Sequence, residues 1–457
     1  MSRTKVGVIS LGCSKNLVDT EVMLGHLGRA GCVFVQDAED ADVLIVNTCG
    51  FIDAAREESI RTILDAAKLK TDGRLKRLVV AGCMVQRYRD EMAQELAGDV
   101  DAFIGLDELD AIVEATQASR PREAAAPRND LPMFSPAPKL SRYLYDASTP
   151  RTLATPPWTA FVKIAEGCDH TCSFCAIPSF RGVFRSRPAD DIVAEAEALS
   201  RRGVREVNLI AQDSSHFGRD RGDNAGLSGL LTRLDAVEAL RWVRVHYLYP
   251  NTVTDRLIET MARCARVVPY VDMPLQHAHP AMLKRMRRGG SAASHLELLG
   301  RFREAMPDAA LRTTLIVGFP GETEEEFDEL AAFVTAARFD HLGVFTYSHE
   351  DGTAAHTSTD DVPPALKDER RDRLMTLQQR IAFEKNEARL GTTIEVLVEG
   401  AHPETDHLLV GRASTQAPDV DGQILLNDGH AEPGTFARVL LTETAGYDLV
   451  GRIVGAA

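Results

Sequence analysis

The sequence predicts an α/β protein with three folded parts: an N-terminal parallel-sheet domain, a central partial (β/α) barrel and a small C-terminal β-barrel. In the first part, buried strand-like runs alternate with helical patterns, which is typical of a parallel sheet. In the second part, six further strand-like runs alternate with helices, as in a barrel of parallel strands. In the third part, five short runs of alternating residues are separated by turn residues, which indicates a small β-barrel.

The predicted domain boundaries follow these changes of pattern along the 457 residues. We assign residues 1–116 to the first domain, 158–385 to the central barrel and 386–457 to the C-terminal barrel. Residues 117–157 are rich in Pro, Ala, Arg and Ser and have little periodicity, so we predict a linker there. About three domains are expected for a chain of this length, at roughly 150 residues a domain.

The composition is that of an intracellular globular protein, with 44% hydrophobic and 26% charged residues. The chain has neither an export signal nor a run of about 18 apolar residues, so we predict a cytoplasmic protein that does not contact a membrane. Its eight cysteines are then expected to be metal ligands or buried thiols rather than disulfides. The net charge of −15 argues against a surface built throughout to bind phosphates.

The most informative motif is the run GCDHTCSFCAIP, in which Cys168, Cys172 and Cys175 have the spacing Cys-x₃-Cys-x₂-Cys. Three thiolates can hold a 4Fe–4S cluster by three of its irons, which leaves the fourth iron open to another ligand. The spacing differs from that of ferredoxins and of paired Cys-x₂-Cys zinc sites. The motif follows the first predicted barrel strand, Thr159–Ile164, and therefore lies at the C-terminal face, where barrels carry their chemistry. A structural zinc site or a set of buried thiols is the alternative.

Three more cysteines each follow a buried strand-like run of the first domain. They are Cys13, Cys49 and Cys83, which follow the runs 6–9, 43–46 and 78–81. The carboxyl ends of parallel strands meet at one edge of a sheet, so we predict that these thiols converge on a second metal cluster. Taken singly, each of them would more often be a small core residue. Cys32 and Cys264 lack this placement, and we interpret them as structural.

Other strand ends of the central barrel give weaker signals. Gln212 and Asp213 end its second strand, and Gly318 and Gly321 belong to the run GFPGET after its fifth strand. The glycines allow close approach of backbone to a ligand, although a tight connection needs them equally. Polar groups at strand ends are more often simply satisfied by hydrogen bonds. Further candidates of this weaker kind are Tyr247, Tyr249, Pro250, Pro274, Gln276 and His277.

Two helix starts are well marked in the central part. Thr323 and Glu326 are predicted to form a capping box, and Pro188 is predicted to be the first residue of the helix that follows the cysteine motif. Both helices are amphipathic, and the helix that follows the cysteine motif is interpreted as scaffold because its apolar stripe faces inward.

Several of these runs resemble one enzyme family. The runs LGCSKNLVDTEVM, NTCGFIDAAREESI and AGCMVQRY, followed by the Cys168 motif, are similar to the methylthiotransferases of the radical S-adenosylmethionine (SAM) superfamily. Within that family, Ser14–Asp19 and Gly50–Ile52 resemble the branch that modifies a ribosomal protein rather than the branch that modifies tRNA. The resemblance extends through nearly the whole chain except the predicted linker.

The resemblance implies a central barrel of the radical SAM type and an OB-like TRAM domain at the C-terminus. It implies two 4Fe–4S clusters, one held by Cys168, Cys172 and Cys175 and an auxiliary one held by Cys13, Cys49 and Cys83. SAM would bind the open iron of the first cluster, with Gln212, Asp213, Gly318 and Gly321 as candidate contacts. No catalytic residue is expected beyond the cluster ligands.

The implied reaction begins when the reduced first cluster cleaves SAM to methionine and a 5′-deoxyadenosyl radical, which takes hydrogen from the β-carbon of an aspartate. The second cluster then supplies sulfur that a second SAM methylates. The implied substrate is the twelfth small-subunit ribosomal protein, which is basic. An electron donor such as flavodoxin or ferredoxin is also implied, and we expect a monomer.

Two groups of basic residues lie near these motifs. The first is Arg181, Arg185 and Arg187, and the second is Lys284, Arg285, Arg287 and Arg288. Such groups are usually solvated surface. An arginine near the cluster could instead bind a carboxylate, either of SAM or of a substrate aspartate.

The charge of the C-terminal part discriminates between the two branches of the family. Residues 391–457 contain ten carboxylates and three arginines, a net charge of −7. Such a surface repels RNA phosphates and attracts a basic protein, so we predict no direct tRNA substrate. A tRNA adenosine methylthiotransferase remains the alternative with the same chemistry, and an iron–sulfur or zinc-binding interaction protein is the non-enzymatic alternative.

Overall fold

The structure is a computed structural model that describes residues 3–117 and 141–457. Most of the predicted linker, residues 118–140, therefore lies outside the described residues. The described chain forms two compact units, each of which is considered by itself. The first contains the described residues of 1–154 together with 166–170 and 175–185, and the second contains 155–165, 171–174 and 186–457.

The first unit is built on a five-stranded parallel sheet with the strand order β2-β1-β3-β4-β5. Its elements are β1 (Lys5–Ser10), α1 (Ser14–Arg29), β2 (Val33–Phe34), β3 (Val43–Thr48), α2 (Asp53–Thr71), β4 (Arg77–Gly82), α3 (Cys83–Glu95), β5 (Ala102–Ile104) and α4 (Ile112–Gln117). β3 is buried along its whole length, as expected for a central strand covered on both faces. The predicted parallel sheet of the first domain is confirmed.

The second unit contains a partial barrel of six parallel strands in sequence order. Its first elements are β6 (Thr159–Lys163), β7 (Ala165–Glu166), α5 (Ile177–Arg181), β8 (Arg185–Ser186), α6 (Ala189–Arg201), β9 (Glu206–Ile210), α7 (Gly226–Asp235), β10 (Trp242–Val245) and α8 (Asp255–Arg263). Of these, β7 and β8 straddle the division between the units, and α5 belongs to the first unit. The remaining elements of the barrel are β11 (Tyr270–Asp272), α9 (Pro280–Arg285), α10 (Ala292–Ala305), β12 (Ala310–Val317), α11 (Glu324–Ala337), β13 (His341–Thr346) and α12 (Pro364–Ala388).

The six barrel strands form two parallel three-stranded sheets, β6-β9-β10 and β11-β12-β13. A single parallel bridge between Val243 and Val267 joins them. The third and fourth strands are shorter than predicted, because Tyr247 adopts a left-handed φ of 60° and Pro269 has no N–H to donate to a ladder. Helices α6, α7, α8, α10 and α11 accompany the strands, so the predicted (β/α) repeats are confirmed.

The C-terminal part of the second unit is a closed five-stranded barrel with the strand order β14-β15-β16-β18-β17. The strands are β14 (Thr393–His402), β15 (Thr405–Ala413), β16 (Ile424–Asp428), β17 (Phe436–Ala445) and β18 (Asp448–Ala456). Its core consists of inward-facing aliphatic residues such as Val396, Ile424, Val439 and Leu449. Five predicted strands and five observed ones coincide, so the small β-barrel is confirmed.

The C-terminal barrel packs on the ends of the central strands at which those strands begin. Trp242, Tyr270 and Ala310, the first residues of β10, β11 and β12, share a buried cluster with Leu397 and Ala417. The opposite, carboxyl ends of the same strands lead into the loops in which the sequence predicts the chemistry.

Among the described residues, no helix combines the length and the apolar character that crossing a membrane requires.

Candidate metal centres

The first unit brings Cys13, Cys49 and Cys83 to one edge of its sheet. Cys13 is the N-cap of α1, Cys49 directly follows β3, and Cys83 is the first residue of α3 after β4. Gly12 has a φ of +88° and lies close to Cys49. A Cβ added to this glycine would be 3.1 Å from Sγ of Cys49. The negative charges of the other two thiolates both contribute to the raised pKa of Cys83. The three cysteines therefore follow neighbouring parallel strands at one edge of the sheet, and their binding of a metal cluster stays a prediction.

The side chain of Asn16 ties the three cysteine loops together. Its Nδ2 donates to the carbonyl oxygen of Leu11 at 2.8 Å and to that of Thr48 at 3.0 Å. Its Oδ1 accepts a hydrogen bond from the Cys83 thiol at an S···O distance of 3.5 Å. Since Leu11 and Thr48 are close neighbours of Cys13 and Cys49 in the chain, one buried amide fixes all three loops. No pattern in the sequence marks Asn16 as a site residue.

Burial makes these thiols poor acids on their own. It raises the pKa of Cys83 to about 12, and the nearby charges of Cys13 and Cys49 add to this effect. Burial likewise raises the pKa of Cys49. Because a metal cluster is bound by thiolates, the charge of the metal must compensate for the lost hydration of these sulfurs.

The donor set fits an iron–sulfur cluster. Three convergent cysteine sulfurs are soft ligands of the kind that iron–sulfur clusters and zinc prefer. Zinc draws all of its thiolates to about 2.3 Å from one ion, whereas the thiolates of a 4Fe–4S cluster each bind a different iron. Over residues 3–117 and 141–457, no group of three or more His, Cys, Asp or Glu side chains is already arranged to hold a metal ion. Cys13, Cys49 and Cys83 would hold such a cluster by three of its irons.

Arg181, at the end of α5, donates a hydrogen bond to the sulfur of Cys83 at 2.9 Å. The same guanidinium donates to Glu166 at 2.8 Å and to Asp19 at 3.2 Å, and the residue is only 3% exposed. Burial lowers its pKa, but the charges of Cys83, Glu166 and Asp19 outweigh burial and hold that pKa above its usual range. The interpretation of Arg181 as solvated surface is therefore wrong, because the side chain is buried. Its carboxylate partners are Glu166 and Asp19 of this chain.

Parts of the Cys168 loop are anchored within each unit. In the first unit, the Cys168 N–H donates to the carbonyl of Gly182 at 3.0 Å, and Cys175 lies directly before α5. Gly167, at a φ of +81°, has no room for a side chain, because an added Cβ would be 2.1 Å from the carbonyl oxygen of Val183. This glycine is therefore required by the close approach of two backbone segments.

In the second unit, Ser173 is held by three hydrogen bonds. Its N–H donates to the carbonyl of Met286 at 3.0 Å, and its hydroxyl donates to the carbonyl of Arg285 at 2.8 Å. Its own carbonyl accepts from the N–H of Ala355 at 2.7 Å. Phe174, the next residue, packs on the aromatic and methionine cluster that includes Phe319. These bonds fix the middle of the cysteine loop on the barrel.

The candidate SAM contacts lie at the carboxyl ends of barrel strands. Gln212 and Asp213 follow β9, and the second of them is buried, where its Oδ1 accepts from the Ser215 hydroxyl at 2.5 Å and from the His216 N–H at 3.2 Å. This bonding caps a short turn. Contact of either residue with SAM stays a prediction.

The two glycines of the GFPGET run have different surroundings. Gly318 has a φ of +72°, and an added Cβ would be 2.3 Å from Cγ of Lys367. Gly321 has a φ of +73° with open space around it, and it lines a cavity of about 460 Å³ together with Ser173 and Phe319. Each glycine meets a conformational need, and contact with SAM stays a prediction for both. The capping box of Thr323 and Glu326 is confirmed at the start of α11.

Two other candidates are bound by internal partners. His277 is fully buried, with Nε2 at 3.1 Å from Glu322. Arg187 is 1% exposed and pairs with Asp191 and Glu195, each at 2.6 Å. The interpretation of Arg187 as solvated surface is therefore wrong.

One arginine of the C-terminal barrel is also internal. Arg412 is 3% exposed and donates to Glu206 of the central barrel at 2.6 Å and to Glu399 at 2.9 Å. Burial alone would raise the pKa of Glu206, but Arg412 and Arg244 lower it to about 2. Among the side chains of this barrel whose exposure the structure describes, five carboxylates and two arginines are exposed, so the exposed charge stays negative but is smaller than the sequence count of −7. Its exposed carboxylates are Glu404, Asp419, Asp428, Glu432 and Glu443, against the exposed Arg438 and Arg452.

Three family models match successive parts of the chain. They are described as "Uncharacterized protein family UPF0004" for residues 5–105, "Radical SAM superfamily" for 162–334 and "TRAM domain" for 390–454. The match to the radical SAM superfamily supports SAM and a 4Fe–4S cluster as cofactors.

Similar proteins of several bacteria are called "Ribosomal protein uS12 methylthiotransferase RimO". The relative from Solibacter usitatus is 48% identical over 98% of this chain and 95% of its own length. The relative from Geobacter sulfurreducens is 46% identical over 99% of each chain. Among solved structures, the radical SAM methyltransferase TsrM from Kitasatospora setae covers 75% of this chain and 73% of its own, with a TM-score of 0.51 at 16% identity. That structural likeness concerns the fold alone.

Proposed function

Because the chain belongs to the family of ribosomal protein uS12 methylthiotransferases called RimO, we propose that it inserts a methylthio group at the β-carbon of an aspartate of ribosomal protein uS12. The chain is a radical SAM methylthiotransferase. One observation carries the choice of substrate: relatives with that name are 45–48% identical over nearly the full length of both chains. The aspartate and its β-carbon are the finer part of the proposal.

The proposal includes two 4Fe–4S clusters. Cys168, Cys172 and Cys175 would hold one, and Cys13, Cys49 and Cys83 would hold the other. When bound, the first cluster with SAM supplies the radical that removes hydrogen from carbon, and the second supplies the sulfur. Gln212, Asp213, Gly318 and Gly321 are the proposed SAM contacts.

The protein's own residues position and shield these groups. Asn16 fixes the loops of the three auxiliary cysteines, and Arg181 supplies a buried positive charge beside Cys83. Hydrogen bonds to ligand sulfur and low exposure are the means by which a protein sets the properties of such a cluster. Ser173 holds the middle of the radical SAM loop on the barrel through its backbone and its hydroxyl.

The acidic C-terminal barrel supports a basic protein as substrate. Its exposed side chains include five carboxylates against two arginines, a net negative charge that favours a cationic partner and disfavours RNA. The proposal also includes a monomeric, cytoplasmic protein that does not act directly on tRNA. Its electron donor would be a protein such as flavodoxin or ferredoxin. We propose the domain boundaries 1–116, 158–385 and 386–457, with 117–157 as linker.

Mass spectrometry of uS12 and of tRNA from a deletion strain tests the substrate. We expect uS12 to lack the mass of one methylthio group while tRNA modification is unchanged. Loss of methylthio groups from tRNA with intact uS12 would instead support the tRNA alternative.

The roles of the two cysteine sets are tested with the purified protein. Anaerobic reconstitution is expected to give about eight irons per chain. Cys13→Ala, Cys49→Ala and Cys83→Ala are expected to keep SAM cleavage and to abolish methylthio transfer. A variant of this set that still modified uS12 would contradict the assignment of the auxiliary cluster. One zinc per chain without SAM cleavage would support the non-enzymatic alternative.

A further inference from the structure

A basic surface adjoins the middle of the radical SAM cysteine loop, at Ser173. It consists of Lys284, Arg285, Arg287 and Arg288, at the end of α9 and in the turn that follows, and we call it the 284–288 patch. The carbonyls of Arg285 and Met286 accept the hydrogen bonds that anchor Ser173. The patch is thus one hydrogen bond away from the residue next to Cys172.

Within the patch, the four cations are not equivalent. Arg285 is paired with Glu326 at 2.5 Å. Arg288 is half-buried, stacks over the ring of Tyr249 at 4.4 Å, and has Nη1 at 3.7 Å from Sγ of Cys172. Lys284 and Arg287 are exposed. Neither side chain of these two has an ion-pair or hydrogen-bond partner among residues 3–117 and 141–457, so their charge faces solvent.

Arg287 has a strained backbone conformation. The turn after α9 is a Schellman motif, in which Arg287 N–H donates to Lys284 O at 3.0 Å and Arg288 N–H donates to Leu283 O at 2.7 Å. Arg287 has the left-handed φ of 54° that this motif requires, and glycine is the residue that adopts it without strain. A strained position kept by a charged, exposed side chain points to a function.

We propose that the 284–288 patch is the docking surface for the one-electron donor, a small acidic protein that carries a flavin or an iron–sulfur group. The inference rests on the proposed function, which requires that one electron leave such a donor and reduce the cluster of Cys168, Cys172 and Cys175. The donor is oxidised by one electron and the cluster is reduced by one electron.

The charge distribution supports this partner. At a net charge of −15, the chain as a whole repels an acidic protein, so a local group of cations decides where such a protein docks. Electron-transfer encounters are small and weak, and a few charges suffice to steer them. The cavity of about 460 Å³ beside Ser173 is lined by Arg285 and Arg287, so the patch borders a depression next to the cysteine loop.

The basic uS12 substrate would be repelled by this patch. RNA is the other polyanion that fits basic residues, but affinity for RNA or DNA depends on the number of phosphates that the protein neutralises. Two cations that face solvent neutralise few phosphates, and their position near Cys172 favours the electron donor.

The test compares two variants with a matched control in the full-length reconstituted enzyme. Lys284→Glu/Arg287→Glu reverses the two free charges of the patch. Arg201→Glu/Arg202→Glu makes the same charge change at the end of α6, where the helix returns to the start of β9 at the opposite end of the barrel. The probe is flavodoxin, and its binding in the oxidised state is measured by titration calorimetry at low salt.

For Lys284→Glu/Arg287→Glu, we expect the flavodoxin Kd and the KM for reduced flavodoxin to rise by roughly tenfold or more, with a weaker dependence on salt. The control variant is expected to match the wild type. SAM cleavage with dithionite as reductant is expected to match the wild type in both variants, because none of the four residues is a proposed cluster ligand or SAM contact. Unchanged flavodoxin binding in Lys284→Glu/Arg287→Glu would overturn the proposal.

A second variant separates docking from folding. Arg287→Gly removes one cation and relieves the left-handed strain, so we expect a higher Tm together with weaker flavodoxin binding. Tighter or equal flavodoxin binding by this variant would count against the docking surface. Loss of bulk tRNA binding in Lys284→Glu/Arg287→Glu with intact flavodoxin binding would assign the patch to RNA instead. Absence of SAM cleavage with dithionite in the wild type would contradict the proposed function. The calorimetric measurement of flavodoxin binding would still test the docking surface, because it does not depend on SAM cleavage.

Discussion

The guanidinium of Arg181 donates a hydrogen bond to the sulfur of Cys83 across 2.9 Å. This arginine lies on the short helix that begins two residues after Cys175. The first cysteine of the motif, Cys168, donates its N–H to the carbonyl of Gly182, the residue that follows Arg181. The segment that carries the radical SAM motif therefore also contributes a positive charge to the predicted auxiliary site.

We expect Arg181→Met to lower the midpoint potential of the auxiliary cluster, because a hydrogen bond and a positive charge at a ligand sulfur favour the reduced state. Loss of such a supporting contact typically costs about 10–100-fold in metal affinity or activity. Arg181→Lys keeps a charge and should recover part of the potential. Redox titration followed by electron paramagnetic resonance measures the midpoint potential of both variants. Equal midpoint potentials in Arg181→Met and the wild type would contradict the role of Arg181 in setting that potential.

Asn16→Ala is expected to destabilise the first unit. The variant removes the donor to Leu11 and Thr48 and the acceptor for Cys83, and each net hydrogen bond contributes about 1 kcal/mol. Urea unfolding should therefore give a loss of about 2–3 kcal/mol. Asn427→Ala, on an exposed strand residue, is the matched control and should stay within about 0.5 kcal/mol of wild type. A similar loss of unfolding free energy in both variants would contradict a stabilising role for the side-chain hydrogen bonds of Asn16.

Glu206 should make the stability of the second unit dependent on pH. Its folded-state pKa of about 2 lies below the ordinary value of 4.5, so its charged form is favoured by folding. The contribution is fully present above pH 4.5 and is lost as the pH falls towards 2. The shift corresponds to about 3 kcal/mol.

Thermal unfolding between pH 2 and pH 7 measures this contribution. Glu206→Gln is expected to be less stable at neutral pH, since Arg244 and Arg412 remain buried without their shared carboxylate. The difference between variant and wild type should shrink as the pH falls through the same window. A constant difference across that range would exclude Glu206 as the titrating group.

Alanine at the two glycines of the GFPGET run should have unequal effects. Both positions have a positive φ, which costs roughly 1–2 kcal/mol for alanine. Gly318→Ala also forces a methyl group against Lys367, an overpacking cost of about 1–3 kcal/mol, whereas Gly321→Ala meets open space. Denaturant unfolding is expected to rank Gly318→Ala as the more damaging change, and the reverse order would be inconsistent with the packing described.

The sequence predicted that Cys13, Cys49 and Cys83 follow parallel strands of one sheet, because buried parallel strands have an unmistakable pattern. Runs such as Val43–Val46 are continuously apolar, and the residue after each run must lie at the carboxyl edge of the sheet. The same logic placed the Cys168 loop on the barrel. Boundaries were less accurate: Pro188 is the N-cap of α6 rather than its first residue, since its carbonyl accepts from the N–H groups of Asp191 and Ile192.

The burial of arginines could not be predicted from the sequence. Arg181 is paired with Asp19, 162 positions away, and Arg412 with Glu206, 206 positions away. A charged residue is solvated by default, and only the tertiary fold supplies a distant carboxylate and removes water. Asn16 was missed for a similar reason, because its role depends on three loops that meet only in the folded unit.

The ion pair between Glu206 and Arg412 limits how the enzyme can be rearranged by recombination. Truncation before the C-terminal barrel would leave Glu206 with one arginine instead of two and would uncover the apolar surface of Trp242 and Tyr270. A chimaera that takes this barrel from another protein needs a guanidinium at the equivalent of position 412 to remain stable. The C-terminal barrel can therefore be exchanged only for one that supplies the same guanidinium to Glu206, so the two barrels are linked by a requirement at a single position.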